Sequence, residues 1–138
     1  MQEGESIIRW GRVIVAAVLS EVGVIVALSG VLIAYRFVLA RGRPAAAYEA
    51  FNATASYYFA PFAAGVAVFL AAFWACRRLN SAFIPNGLLV GAFAVILTAG
   101  FLFTAKPEDR LMYVVSFGLR ILGGLGGAVV ARAITGRG

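Results

Sequence analysis

The stretch from Val13 to Tyr35 reads VIVAAVLSEVGVIVALSGVLIAY and is apolar almost throughout its length. Because about 20 apolar residues in a helix span the hydrocarbon core of a bilayer, the stretch predicts a transmembrane helix. One carboxylate, that of Glu21, lies well inside the run. An ionisable side chain at that depth is costly to bury, and in membrane proteins it commonly has a partner or a functional role.

The composition of the whole chain agrees with a membrane protein. Of the 138 residues, 62% are hydrophobic, and the mean hydropathy is +0.93, whereas soluble domains are about 45–50% apolar. The formal net charge is +6, but the basic residues stand in small groups beside the apolar runs and form no continuous stripe. This distribution favours contacts with lipid headgroups and argues against nucleic-acid binding.

Three further apolar runs accompany the first one. Together they predict transmembrane helices at about 13–35, 57–76, 88–105 and 111–131. Residues 44–56 predict either a short helix in the membrane interface or a surface loop. The polar turn at 106–110 is so short that helices three and four are expected to be antiparallel neighbours. The predicted fold is therefore all-α, a single integral membrane four-helix bundle that runs up-down-up-down with both termini on the same side.

The basic residues give little bias between the two sides of the membrane. Six lie on the side of the termini and five on the other. The first group is Arg9, Arg12, Arg77, Arg78, Arg132 and Arg137, and the second is Arg36, Arg41, Arg43, Lys106 and Arg110. By the positive-inside rule, the excess of one favours cytoplasmic termini in a bacterial inner membrane. The near balance is also compatible with insertion in both orientations.

Small residues recur at helix-packing intervals in the last three helices. Such residues let transmembrane helices approach one another closely, and the glycine pairs stand at GxxxG spacing. The predicted packing residues are Ala63, Ala67, Ala71 and Ala75 in the second helix, Gly87 and Gly91 in the third, and Ser116, Gly123, Gly124 and Gly127 in the fourth.

Arg120 lies near the middle of the fourth run and is the second charge inside the spans. At 1.5 Å per helical residue, Glu21 is about 12 Å and Arg120 about 16 Å from the side of the termini. Since the long arginine stem can cover such a difference, the two charges are predicted to form an ion pair. This pair would fix the rotation and register of helices one and four. Ser116 lies one turn before Arg120 on the same face.

The same two charges allow other roles. Either charge can pair with another subunit, and Arg120 can bind a lipid headgroup. Glu21 can also serve transport, because a carboxylate in a low-dielectric site can exchange a proton near neutral pH, and a cationic substrate can compete with that proton. A guanidinium beside Glu21 would hold the carboxylate ionised and weaken this role.

The segment Ala17-Val18-Leu19-Ser20-Glu21-Val22 resembles the first helix of the small multidrug resistance transporters, in which an A-x-x-x-E-V stretch carries the essential glutamate. Those proteins also have four short helices and a weak charge bias, and they insert in both orientations as antiparallel dimers. The resemblance implies that Glu21 is a shared site for protons and cationic drugs. The chain departs from the family at Arg120, which has no counterpart there, and in residues 88–105, which contain neither tryptophan nor tyrosine.

Several chemistries are excluded by what the sequence lacks. There is no histidine and only one cysteine, Cys76, so the commonest metal ligand and general base are missing and no intrachain disulfide can form. No P-loop, dinucleotide fingerprint or G-x-S-x-G elbow is present. We therefore predict that the protein is not an enzyme and has no cofactor and no metal site.

These observations lead to two hypotheses about function. The first is a non-enzymatic accessory subunit or oligomeric scaffold, whose partners are the lipid bilayer and either further copies of the chain or another membrane subunit. The second is a small proton-coupled transporter that uses Glu21. The many small-residue faces favour the first hypothesis, and the lone intramembrane carboxylate favours the second.

Overall fold

A computed structural model of the chain describes residues 7–136. Four α-helices account for most of this part: α1 (Trp10–Ala34), α2 (Ala45–Cys76), α3 (Phe83–Thr104) and α4 (Arg110–Thr135). A π-helical turn, Tyr35–Leu39, continues α1, and a 3-10 turn, Pro107–Asp109, precedes α4. All four helices are long and apolar enough to cross a membrane. The prediction of an all-α chain with four long apolar helices is therefore confirmed.

The second helix differs from its prediction, because α2 is one continuous helix of 32 residues. It includes the segment that the sequence assigned to a separate interfacial helix or a loop. Pro61 lies inside this helix and not in its first turns. Proline has no N–H for the carbonyl of Tyr57, but neighbouring helices allow a transmembrane helix to continue through such a break. At about 48 Å, α2 is longer than a hydrocarbon core of about 30 Å.

The most extensive helix contact of the bundle is that between α2 and α4, and α4 packs against two helices. It packs along α2 on one side and along α3 on the other. The helix α1 packs against α2 and α3 but makes little contact with α4. In the described part of the chain, α1 and α4 thus lie at opposite corners, separated by the other two helices.

Glycines account for the close approach of α4 to both of its neighbours. A Cβ atom on Gly124 would clash with the carbonyl oxygen of Gly87 on α3. A Cβ atom on Gly123 would clash with the carbonyl oxygen of Gly65 on α2, and one on Gly127 with that of Phe69. The two faces of α4 therefore touch their neighbours through backbone atoms, which requires glycine at these positions.

The alanine ridge of α2 is only partly buried. Ala75 is buried, whereas Ala63, Ala67 and Ala71 are half-buried. Ala67 faces α1, where a Cβ atom on Gly23 would lie 3.8 Å from the Cβ of Ala67. The fully buried row is displaced by one residue and consists of Ala64, Val68 and Ala72.

Candidate functional site

Glu21 and Arg120 meet inside the bundle and form a two-point ion pair. Nε of Arg120 donates a hydrogen bond to Oε1 of Glu21, and Nη2 donates one to Oε2, both at 2.9 Å. Two parallel bonds of this kind are stronger and more directional than a single charged contact. The third nitrogen, Nη1, donates to the hydroxyl oxygen of Ser116. All three guanidinium nitrogens of Arg120 therefore have an acceptor.

The two members of the pair are buried to different degrees. The side chain of Arg120 is 7% exposed and that of Glu21 is 18% exposed. Within residues 7–136, every buried side-chain nitrogen or oxygen has a hydrogen-bond partner. Since a single charge is costly to hold at this depth, each member of the pair makes the burial of the other tolerable. Glu21 is the member that a ligand can reach more easily.

The backbone on both sides of the pair is held in place locally. A Cβ atom on Gly91 would lie only 2.7 Å from the carbonyl oxygen of Arg120, so glycine lets α3 press against α4 at this residue. Ser116 precedes Arg120 by one turn, which places its hydroxyl on the same face. On α1, the hydroxyl of Ser20 donates to the carbonyl oxygen of Ala17 at 2.7 Å. Ser20 is therefore satisfied by its own helix and does not compete for Glu21.

The ion pair connects the two helices that make little other contact. Because α1 and α4 lie at opposite corners, the long side chain of Arg120 crosses the interior to reach Glu21. Arginine suits this position, since its stem is apolar and its charged group is a rigid planar fork. A shorter or singly bonded cation would not bridge the helices in the same way.

A cavity of about 460 Å³ lies beside the pair. Glu21, Ser116 and Arg120 line it at mid-helix, and Asp109 lines it directly before α4 begins. Its wall also carries aromatic and hydroxyl-bearing side chains from α2, α3 and α4, namely Ser56, Tyr57, Thr98, Phe101, Tyr113 and Phe117. The cavity thus extends from the ion pair towards the turn between α3 and α4.

The lining of this cavity favours a cationic or neutral polar ligand. Two carboxylates, Glu21 and Asp109, face one guanidinium, that of Arg120, which leaves the lining with one net negative charge. The aromatic rings of Tyr57, Tyr113 and their neighbours can also attract a cation through their faces. Residues 7–136 contain no group of three or more side chains that could hold a metal ion.

Sequence reasoning found the ion pair but missed most of the cavity wall. Asp109, Tyr113, Ser116 and Arg120 follow one another at intervals of four, three and four residues, so they share one face of a helix. This polar stripe is visible in the sequence, but Asp109 also belongs to the polar turn at 106–110, which hides its link to the helix. Tyr57 and Thr98 belong to other helices, and nothing in the sequence links them to this stripe.

Comparison with protein-family models, with curated proteins and with solved structures finds no match for the chain.

Proposed function

We propose that the protein is a non-enzymatic membrane subunit, either an accessory subunit or an oligomeric scaffold. In it the Glu21–Arg120 ion pair fixes the rotation of α1 relative to α4. In this proposal the helices run up-down-up-down, and both termini lie on one side, in the cytoplasm of a bacterial cell. The observation that carries it is the two-point ion pair, in which Ser116 occupies the remaining guanidinium nitrogen. A charge pair so fully satisfied is suited to hold two helices in one rotation.

Two exposed glycines on the outer surface of the bundle favour contact with a partner within the membrane. Gly100 on α3 and Gly118 on α4 are exposed, and a Cβ atom on either would meet nothing within 4 Å. Small residues on the outer face of a transmembrane helix let a second helix approach closely. Because the bundle itself does not use these two glycines for packing, a second chain is the partner that they favour.

The mass of the purified protein in mild detergent tests this proposal. We expect a particle larger than one 14.5 kDa chain, formed by further copies or by a co-purified membrane protein. Gly100→Leu combined with Gly118→Leu should reduce it to a single chain, while Leu97→Met, an exposed change on α3, should not. A wild-type protein that is monomeric and has no co-purified partner would contradict the proposal.

A second candidate function is proton-coupled transport of a small cation, and the cavity favours it. Glu21 lines a space with one net negative charge and several aromatic rings, which is suited to a hydrophobic cation. The resemblance of residues 17–22 to the first helix of the small multidrug resistance transporters points to the same residue.

Uptake of a hydrophobic cationic dye into vesicles with a proton gradient tests this second candidate. Transport should be lost in Glu21→Gln, which cannot release a proton, and partly retained in Glu21→Asp. If Glu21→Gln leaves the dye uptake and the accompanying proton flux unchanged, Glu21 is not the transport site.

A further inference from the structure

Four arginines gather where α1 begins and α2 ends. The guanidinium of Arg12 lies 5.3 Å from the ring centre of Trp74, and its Nη2 donates to the carbonyl oxygen of Trp74 at 3.4 Å. These contacts bring the start of α1 against the last turn of α2. Arg9 directly precedes α1, and Arg77 and Arg78 directly follow α2, so all three stand beside this contact. Three of the four, Arg9, Arg77 and Arg78, are exposed.

None of these four arginines has a carboxylate within salt-bridge distance in residues 7–136, where the only ion pair is Glu21–Arg120. The two acidic residues that precede the cluster, Glu3 and Glu5, lie outside the described residues. Four cations so close together destabilise one another unless an anion lies among them. The described part of the chain therefore presents a concentrated positive charge without a counterion.

The opposite end of the helices is different. Arg36 lies over the ring of Tyr48, with 5.4 Å from guanidinium to ring centre, and Arg41 donates to the carbonyl oxygen of Phe37. Lys106 and Arg110 flank two carboxylates, those of Glu108 and Asp109. At that end, Arg36 and Arg41 thus contact a ring or a carbonyl oxygen, and Lys106 and Arg110 stand beside carboxylates, so the need for an external anion is greatest at the arginine cluster.

The position of the cluster identifies the kind of anion. Trp10 and Trp74 are both partly exposed beside it, and indole rings favour the boundary between headgroups and hydrocarbon. The apolar span of α1 begins beside the cluster and that of α2 ends there, and both leave aliphatic surface exposed further along, at Leu19 and Leu70. A ligand that suits this place has phosphate oxygens for the guanidinium groups and acyl chains for the apolar surface.

We propose that Arg9, Arg12, Arg77 and Arg78 form a binding site for the phosphate group of an anionic phospholipid, between the start of α1 and the end of α2. Guanidinium groups bind phosphate oxygens through two parallel hydrogen bonds, which gives them an advantage over a point charge. Basic clusters at the ends of transmembrane helices bind anionic headgroups by the same chemistry. The site does not depend on the function proposed for the ion pair, because it lies at the end of the bundle and shares no residue with the cavity.

Fluorescence quenching in vesicles tests this proposal directly, since Trp10 and Trp74 are the only tryptophans. Trp10→Phe leaves Trp74, which contacts Arg12, as the sole reporter. The protein is placed in phosphatidylcholine vesicles that contain a small fraction of brominated lipid, either phosphatidylglycerol or phosphatidylcholine. We expect brominated phosphatidylglycerol to quench Trp74 more strongly at equal mole fraction, because it is concentrated beside that residue.

Two matched variants separate a site from general attraction to a charged surface. Arg77→Gln with Arg78→Gln should lower the preference for phosphatidylglycerol about fivefold or more, since each arginine near a membrane surface contributes about that factor. Arg41→Gln with Arg43→Gln removes the same charge from the opposite end and should leave the preference unchanged. Equal quenching by both brominated lipids, or an equal loss in the two variants, would overturn the proposal.

Two further measurements distinguish the lipid from other anions. Added inorganic phosphate should change the preference no more than chloride at the same ionic strength; selective loss in phosphate would show that the site takes a soluble anion and would overturn the lipid as its occupant. Glu3→Gln with Glu5→Gln should retain the preference. If the preference appears only in that variant, the two carboxylates occupy the cluster, and the proposal is overturned.

Discussion

The interface of α4 with α2 and α3 and the separation between α1 and α4 are held by opposite physical means. Along the first, glycines bring backbone against backbone, as at Gly124 and Gly87. Across the second, one charged bridge from Arg120 to Glu21 spans the interior beside a cavity of about 460 Å³. Added side-chain volume should therefore lower the stability of the protein most in the first region, and removal of a charge should lower it most in the second.

The difference has a reason in the membrane environment. Lipid chains are as apolar as leucine, so burial of apolar surface adds little to the association of transmembrane helices. Close packing and polar contacts are the interactions that remain to hold such helices together. This chain uses close packing between α4 and its neighbours α2 and α3, and a polar contact between α1 and α4. The glycine contacts depend on shape along the length of a helix, whereas the ion pair concentrates its effect at one level of the bundle.

The largest expected effect comes from adding volume to the glycine interface. Gly123→Ala with Gly127→Ala places two methyl groups against backbone carbonyl oxygens of α2. Such overpacking costs about 2 kcal/mol at each site, or about 4 kcal/mol together. Gly30→Ala on α1 meets open space and should leave stability unchanged or slightly raised. Denaturant unfolding in detergent measures both, and equal effects of the two variants would contradict the packing described here.

The next effect comes from removal of one charge from the bridge. Glu21→Gln leaves the guanidinium of Arg120 buried without its counterion, which costs about 3 kcal/mol, at the lower end of the usual range because the cavity adjoins the site. The same unfolding measurement checks this value. The control is Glu49→Gln, which changes an exposed carboxylate of α2 and should alter stability little.

A smaller effect is expected from the hydroxyl that completes the site. Ser116→Ala removes the acceptor of the Nη1 hydrogen bond of Arg120, and a hydrogen bond to a charged group contributes about 2 kcal/mol. Ser29→Ala, at an exposed position of α1, is the matched control. If both serine variants unfold at the wild-type denaturant concentration, Ser116 does not hold the guanidinium.

The smallest effect distinguishes the open region from the tightly packed one. Ala60→Leu projects into the cavity and should change stability by less than about 1 kcal/mol, because there is space for the larger side chain. Ala64→Leu, one turn later at a fully buried position, should destabilise by about 2 kcal/mol or more. Similar unfolding curves for the two variants would show that the cavity is not open space in the folded protein.

The helices were predictable from the sequence, because long apolar runs are an unusually direct signal. The bounds of the helices were less predictable. Residues 45–56 mix polar and aromatic side chains with alanine, yet they belong to α2, because a helix longer than the hydrocarbon core can continue beyond it. The GxxxG spacings marked positions where the structure has backbone contacts. The alanine ridge did not show which neighbour it faces, because every turn of α2 carries small residues.

For the candidate site, the depth of two charges was enough to suggest a pair, and the structure places their atoms 2.9 Å apart. The cavity could not be predicted in the same way. Its wall combines Tyr57 from α2 with Thr98 from α3 and Tyr113 from α4, and their proximity depends on how the helices are rotated. Rotation follows from side-chain packing, which spacing along one helix does not determine.

The most direct test of this account is a double-mutant cycle with Glu21→Gln, Arg120→Gln and the two combined, followed by unfolding in detergent. We predict that each single change is destabilising and that the double variant is more stable than the sum of the two losses implies, with a coupling of about 2 kcal/mol. Losses that simply add would contradict the central claim that Glu21 and Arg120 hold α1 and α4 together as one ion pair.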